Sequence, residues 1–90
     1  MAVIAPEKTL NPPSAKAEGG ATDTAELALS IGRNLRRLRT RHGYSLERLA
    51  AASGVSRAML GQIELGKSVP TISLLWKVAR ALDVPFSALN

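Results

Sequence analysis

From Leu27 to the end, apolar residues recur at helical spacing, and the pattern breaks at four places: around Gly43, Gly54, Gly66 and Asp83. Before Leu27 the pattern is missing. Val3, Ile4 and Leu10 are the only large apolar residues there besides Met1, and Pro6, Pro12, Pro13, Gly19 and Gly20 lie among Ala, Ser and Thr. So few apolar groups cannot offset the entropy of ordering the chain, so residues 1–22 are expected to form a disordered tail. The domain is expected over residues 23–90.

Each break carries a start or stop signal. Asp23-x-x-Glu26 fits a capping box and predicts that helix 1 begins near Thr24. At 100° per residue, Leu27, Ile31, Leu35, Leu38, Arg39 and His42 share one face, while Leu29 falls on the far side. Gly43 suits the helix end. Ser45 can cap a second helix carrying Leu46, Leu49 and Ala50, and Gly54 ends it. Ser56 can cap a third, buried through Leu60 and Ile63 and closed by Gly66. Thr71 can cap a fourth, with Ile72, Leu75, Val78, Ala79 and Leu82 inward and Leu74 on the flank. Asp83 stands where a C-terminal glycine is expected, and Pro85 suits the first turn of a short fifth helix turning Phe86 and Leu89 inward. Trp76 lies at the edge of helix 4's buried arc, placed to lean on Phe86 or on a dimer mate. Strand-like alternation is absent. The expectation is an all-α, compact five-helix domain.

The second and third helices, joined by the tight turn at Gly54, have the form of a helix-turn-helix, whose second helix can enter the major groove of DNA. Charge supports that direction. Residues 25–90 hold ten Lys/Arg against four acids, a net +6, whereas residues 1–24 hold two lysines against three acids. The basic excess thus belongs to the helical part, as phosphate attraction requires. Arg33, Arg36, Arg37 and Arg41 lie on the outer face of helix 1 and read as an ordinary solvated face. Arg39 differs, because it lies on the apolar face, where an unpaired guanidinium is costly. Glu64 is the acid that falls beside a buried stripe, next to Leu60, so an Arg39–Glu64 ion pair is predicted to tie helix 1 to helix 3.

Composition removes other classes. There is no Cys and a single His, so disulfides, thiolate zinc sites and multi-histidine metal sites are excluded. His42 reads as a helix-end residue, and Met59 and Trp76 as partial core. No apolar run spans a bilayer, no secretory signal is visible, and a cytoplasmic setting is the default. No nucleophile–base arrangement or phosphate-binding glycine loop is present, so no enzyme activity and no cofactor are expected.

Residues 31–89 resemble the phage-repressor/Cro type of helix-turn-helix, the xenobiotic-response-element family. The resemblance is carried by Ile31-Gly32, Leu35, Leu38-Arg39, Gly43, Leu49-Ala50, Gly54-Val55-Ser56, Ile63-Glu64-x-Gly66-Lys67, Pro70-Thr71, Leu74-Leu75, Ala79, Leu82 and Val84. It implies a sequence-specific DNA-binding transcriptional regulator, usually a homodimer on a two-fold operator. It places base contacts at Arg57, Ala58 and Gln62. The helical wheel independently puts Ala58, Gly61, Gln62 and Leu65 outward, with Arg57 at the edge. Arg can pair with guanine O6 and N7, Gln with adenine N6 and N7, and Ala with a thymine methyl. The same resemblance implies phosphate contacts from Ser45, Ser56, Lys67, Ser68 and Thr71, and it also matches Arg39 and Glu64 as an internal pair. Two positions depart from the family pattern: Leu46 stands where many members carry a DNA-reaching Gln, and Leu65 where many carry Asn or Arg.

The competing reading is a protein-interaction module of the antitoxin or bridging-factor type, which a steep salt dependence of DNA binding would separate from a regulator. Longer family members often continue into a sensing barrel of the cupin type. No such segment follows Leu89 here, which leaves either the DNA-binding domain of a larger sensor-regulator or a small stand-alone regulator, with a weak dimer of the isolated domain.

Overall fold

The computed structural model describes the backbone from residue 14 and the side chains from residue 23. Helix α1 spans Ser14–His42, α2 Leu46–Ser53, α3 Arg57–Glu64 and α4 Ile72–Leu82, followed by a 3-10 turn over Phe86–Leu89. No strand occurs among the described residues. The described residues are therefore all-α, with four α-helices where five helices were expected. The last segment is a single turn closed by i→i+3 bonds, Ala88 N–H to Pro85 O at 2.9 Å and Asn90 N–H to Ser87 O at 3.3 Å. Four residues are too few for an α-helical ladder to outcompete that geometry. The turn is nonetheless anchored: Leu89 is fully buried, and Asn34 Nδ2 donates to its carbonyl at 3.2 Å.

α1 begins at Ser14 rather than near Thr24, so Asp23 and Thr24 lie inside the helix and their capping box does not start it. A capping box marks a favourable start but does not forbid helix before it, and Ala, Lys and Glu in the preceding residues propagate helix readily. Of the expected tail, residues 1–13 lie outside the described residues.

The core is one cluster made by all the elements: Ile31 and Leu35 of α1, Leu49 of α2, Val55 of the turn, Leu60 and Ile63 of α3, Leu75, Val78, Ala79 and Leu82 of α4, and Leu89. α1 packs on α3, α2 on α3 and α4, and the terminal turn closes against α1 and α4. The stripes expected from the wheel hold within this cluster and fail at the helix ends. Ile72 is 72% exposed although it shares an angular position with Ala79. It is the first residue of α4, and a wheel reports angle but not whether a neighbour lies at that height along the axis. Leu27 is likewise exposed, and Ala28 takes the buried place next to Ile31. Leu29, with no expected partner, lies over Gly66 at the far end of α3, where a Cβ on Gly66 would come within 2.5 Å of Leu29 Cδ2.

α1 and the end of α3 approach each other closely at Gly32. A Cβ there would overlap the carbonyl oxygen of Ile63 and lie 2.8 Å from that of Glu64. The absence of a side chain thus sets how closely α3 docks on α1. Trp76 leans on Phe86, ring centroids 5.2 Å apart, one of the two partners expected for it.

Candidate nucleic-acid interface

The turn between α2 and α3 is built from its sequence signals. Ser45 Oγ accepts from Arg48 N–H at 3.0 Å, and Gly54 closes α2 in left-handed geometry, φ 79°, with its N–H on Ala50 O. Two residues later Ser56 opens α3, its Oγ accepting from Met59 N–H at 3.1 Å. The exit of α3 is a Schellman motif: Lys67 N–H reaches Gln62 O and Gly66 N–H reaches Ile63 O, both at 3.0 Å, with Gly66 at φ 74°. α3 is thereby fixed at both ends, and its inner side is fixed by fully buried Leu60 and Ile63.

The opposite side of α3 is free. Arg57, Ala58 and Gln62, the three expected base-contacting residues, are all exposed. Gly61 lies between them, and a methyl group added to it would meet nothing within 4 Å. Since open surroundings leave only the helix-propensity term, Gly61→Ala should stabilise the free protein by about 0.5–1 kcal/mol, read by thermal or urea unfolding. A loss of stability would show that the position is constrained in a way its surroundings do not reveal.

The five expected phosphate-contacting residues divide by what already engages them. Ser45, Ser56 and Thr71 are exposed N-caps, and Thr71 Oγ1 accepts from Leu74 N–H at 3.1 Å. Each hydroxyl spends a lone pair on the amide and keeps its own O–H to donate. Lys67 is exposed. Ser68 is half-buried and directs its hydroxyl to Met59 Sδ at 3.8 Å, so it is the least available of the five. Ser56 and Thr71 line one shallow groove together with Lys77. Sequence reading missed Lys77, because only the tertiary arrangement places this α4 residue in one groove with the Ser56 cap of α3. Leu46, standing where a polar DNA-reaching residue is common in the resembling family, is half-buried and packs on the core. Leu65 is exposed.

The predicted ion pair is present. Arg39 Nε and Nη2 meet Glu64 Oε2 and Oε1 at 2.6 and 3.0 Å, and Nη1 donates to Tyr44 O at 2.9 Å. The side chains are 13% and 8% exposed. The hydrogen bonds it donates to Glu64 raise the already high pKa of the Arg39 guanidinium, against the opposing effect of burial. The guanidinium therefore stays charged at any ordinary pH, and the pair holds the last residue of α3 to α1. Nearby, the His42 ring lies against Tyr44, centroids 4.3 Å apart, and the Arg48 guanidinium sits 5.1 Å over the Tyr44 ring.

A second ion pair was not anticipated. Arg57 Nε donates to Glu47 Oε2 at 2.8 Å, linking the first residue of α3 to α2 across the turn. The Glu47 backbone amide and the Arg57 guanidinium hold the Glu47 carboxyl below the usual carboxylate range. A lowered pKa means that the contact is present at neutral pH and is lost only as acid protonates Glu47. Its two residues are ten apart in sequence, and no periodic pattern marks a contact that crosses a turn.

Comparison with known proteins places this geometry. Residues 35–89 match the helix-turn-helix family model HTH_3. The chain is 56% identical over 61 residues to the HTH-type transcriptional regulator SutR of Escherichia coli, a match covering 68% of this chain and 34% of that protein. It is 43% identical over 60 residues to the HTH-type transcriptional regulator SlrR of Bacillus subtilis, covering 66% of this chain and 40% of the relative. The chain thus spans well under half the length of these two relatives. Among solved structures, an HTH_3 family transcriptional regulator from Vibrio cholerae superposes with a TM-score of 0.72 at 47% identity, covering 73% of this chain and 37% of that one. The restriction-modification controller protein C.AhdI from Aeromonas hydrophila superposes with a TM-score of 0.68 at 36% identity, over 70% of this chain and 96% of its own.

Proposed function

Since the chain belongs to the HTH_3 helix-turn-helix family, we propose that it is a sequence-specific DNA-binding transcriptional regulator whose α3 reads the major groove. The observation that carries this reading is the two-sidedness of α3. Leu60 and Ile63 are fully buried behind it, and Arg57, Ala58 and Gln62 stand exposed in front.

Affinity and specificity then come from different residues. Arg57 pairs with guanine, Gln62 with adenine, and Ala58 contacts a thymine methyl. Ser45, Ser56, Thr71, Lys67 and Ser68, joined by Lys77, take phosphates. The caps do so at helix N-termini, where unpaired amides and the helix dipole favour an anion. The net +6 of residues 25–90, ten Lys/Arg against four acids, adds long-range attraction. A homodimer on a two-fold operator, with half-sites about 10–10.5 base pairs apart, completes the proposal. It acts where the genome is reached, in the cytoplasm.

Selection of binding sites from random DNA tests the whole reading, because it returns sequence, symmetry and spacing together. Against the selected site, Arg57→Ala should weaken binding by about 1–3 kcal/mol and relax one base position. Lys67→Ala should weaken all sequences alike and flatten the salt dependence by about one counterion. An unselective pool, or no binding at low salt, would refute a DNA-reading role.

A further inference from the structure

We propose that Glu47 is a specificity-determining residue, a positioning carboxylate that aims Arg57 at its base. The inference rests on the DNA-binding reading above. Arg57 opens α3 and Glu47 is the second residue of α2, so the 2.8 Å bond from Arg57 Nε to Glu47 Oε2 spans the helix-turn-helix on its exposed side. Both side chains are largely exposed, 59% and 68%, so the contact belongs to the surface that meets DNA and not to the core.

The guanidinium has a side edge ending in Nε and an end edge formed by Nη1 and Nη2, and a bidentate contact with guanine needs two parallel N–H groups from one edge. With Nε taken by Glu47, the end edge is the one presented. Fixing a long side chain before binding removes rotamer freedom that would otherwise be lost on the DNA. The carboxylate is itself held in place, since it sits in the first turn of α2, where the helix dipole favours an anion. Its negative charge opposes phosphate attraction, so its effect on non-specific affinity has the opposite sign to its effect on discrimination. That difference in sign makes the role measurable.

The experiment compares the full chain with Glu47→Gln, Glu47→Ala and Arg57→Ala. Each protein is titrated by fluorescence anisotropy against the selected site, the same site with the Arg57-dependent guanine replaced, and a scrambled duplex. For both Glu47 variants the ratio of affinities between the first two duplexes should fall about three- to tenfold, a part of what a bidentate pair supplies. Affinity for the scrambled duplex should rise. Glu47→Gln keeps a neutral acceptor and should lose less than Glu47→Ala. Uniformly tighter binding with unchanged discrimination would overturn the proposal and make Glu47 a mere surface charge. Sharper discrimination would also overturn it, by showing that Glu47 sequesters Arg57. If Arg57→Ala discriminates as well as the unmodified chain, the base-reading assignment itself is wrong. If Arg57→Ala loses discrimination and the Glu47 variants keep it, only the positioning role fails. Matching thermal unfolding of the variants excludes misfolding as the cause.

Discussion

Glu64→Ala should cost the domain about 3 kcal/mol, toward the lower end of what removal of one partner from a buried ion pair costs. The Arg39 side chain is only 13% exposed in the intact pair, and the substitution leaves Tyr44 O as its one remaining acceptor among the contacts that hold it. In a domain this small, that loss lowers the unfolding midpoint by roughly 12–24 °C. The penalty comes from the stranded charge and not from the net worth of the pair. Replacing both partners together, as Arg39→Met with Glu64→Leu, should therefore recover most of the stability. Arg39→Lys should recover little, because an ammonium cannot reproduce the fork that meets both carboxylate oxygens and Tyr44 O. Urea unfolding of the three variants checks this. Equal loss in the double variant and in Glu64→Ala would show that the pair contributes in its own right.

Gly32→Ala should be of similar size, about 2–3 kcal/mol destabilising, although alanine is the better helix former by about 1 kcal/mol. The added methyl meets the backbone oxygens of Ile63 and Glu64, the second at 2.8 Å and the first closer still, and neither can rotate away as a side chain would. α1 and the end of α3 must separate, which also strains the adjacent Arg39–Glu64 pair. The variant should therefore lose DNA affinity beyond what its unfolded fraction explains, because α3 no longer sits where its caps and core placed it. Measuring affinity at a temperature where the variant is fully folded isolates that effect. Gly61→Ala, with open space around it, is the matched control on α3. Unaltered stability for Gly32→Ala would mean that the two helices adjust at negligible cost.

These two positions also show how far the sequence could be read. Arg39 and Glu64 were legible because charge at an apolar position demands a partner, and few acids were placed to answer. Gly32 was visible as part of a family pattern, but its reason was not, because a glycine inside a helical run does not reveal what lies against it. The exposed side of α3 followed from periodicity, since burial of Leu60 and Ile63 leaves Arg57, Ala58 and Gln62 nowhere else to point. The exposure of Leu27 and Ile72 was misjudged because it depends on how far along an axis the neighbouring element extends.

Local chemistry along the chain settled the breaks, the caps, which way each helix faces and the sign of its charge. All of these rest on interactions within about four residues, the reach of one helical turn, and those are written consecutively. Packing settled what touches across the breaks: the Glu47–Arg57 link, Lys77 beside the Ser56 and Thr71 caps, Leu29 over Gly66, and the backbone approach at Gly32. Such contacts are fixed by the distance and angle between whole helices, which the burial of a shared core sets and no short stretch of residues encodes.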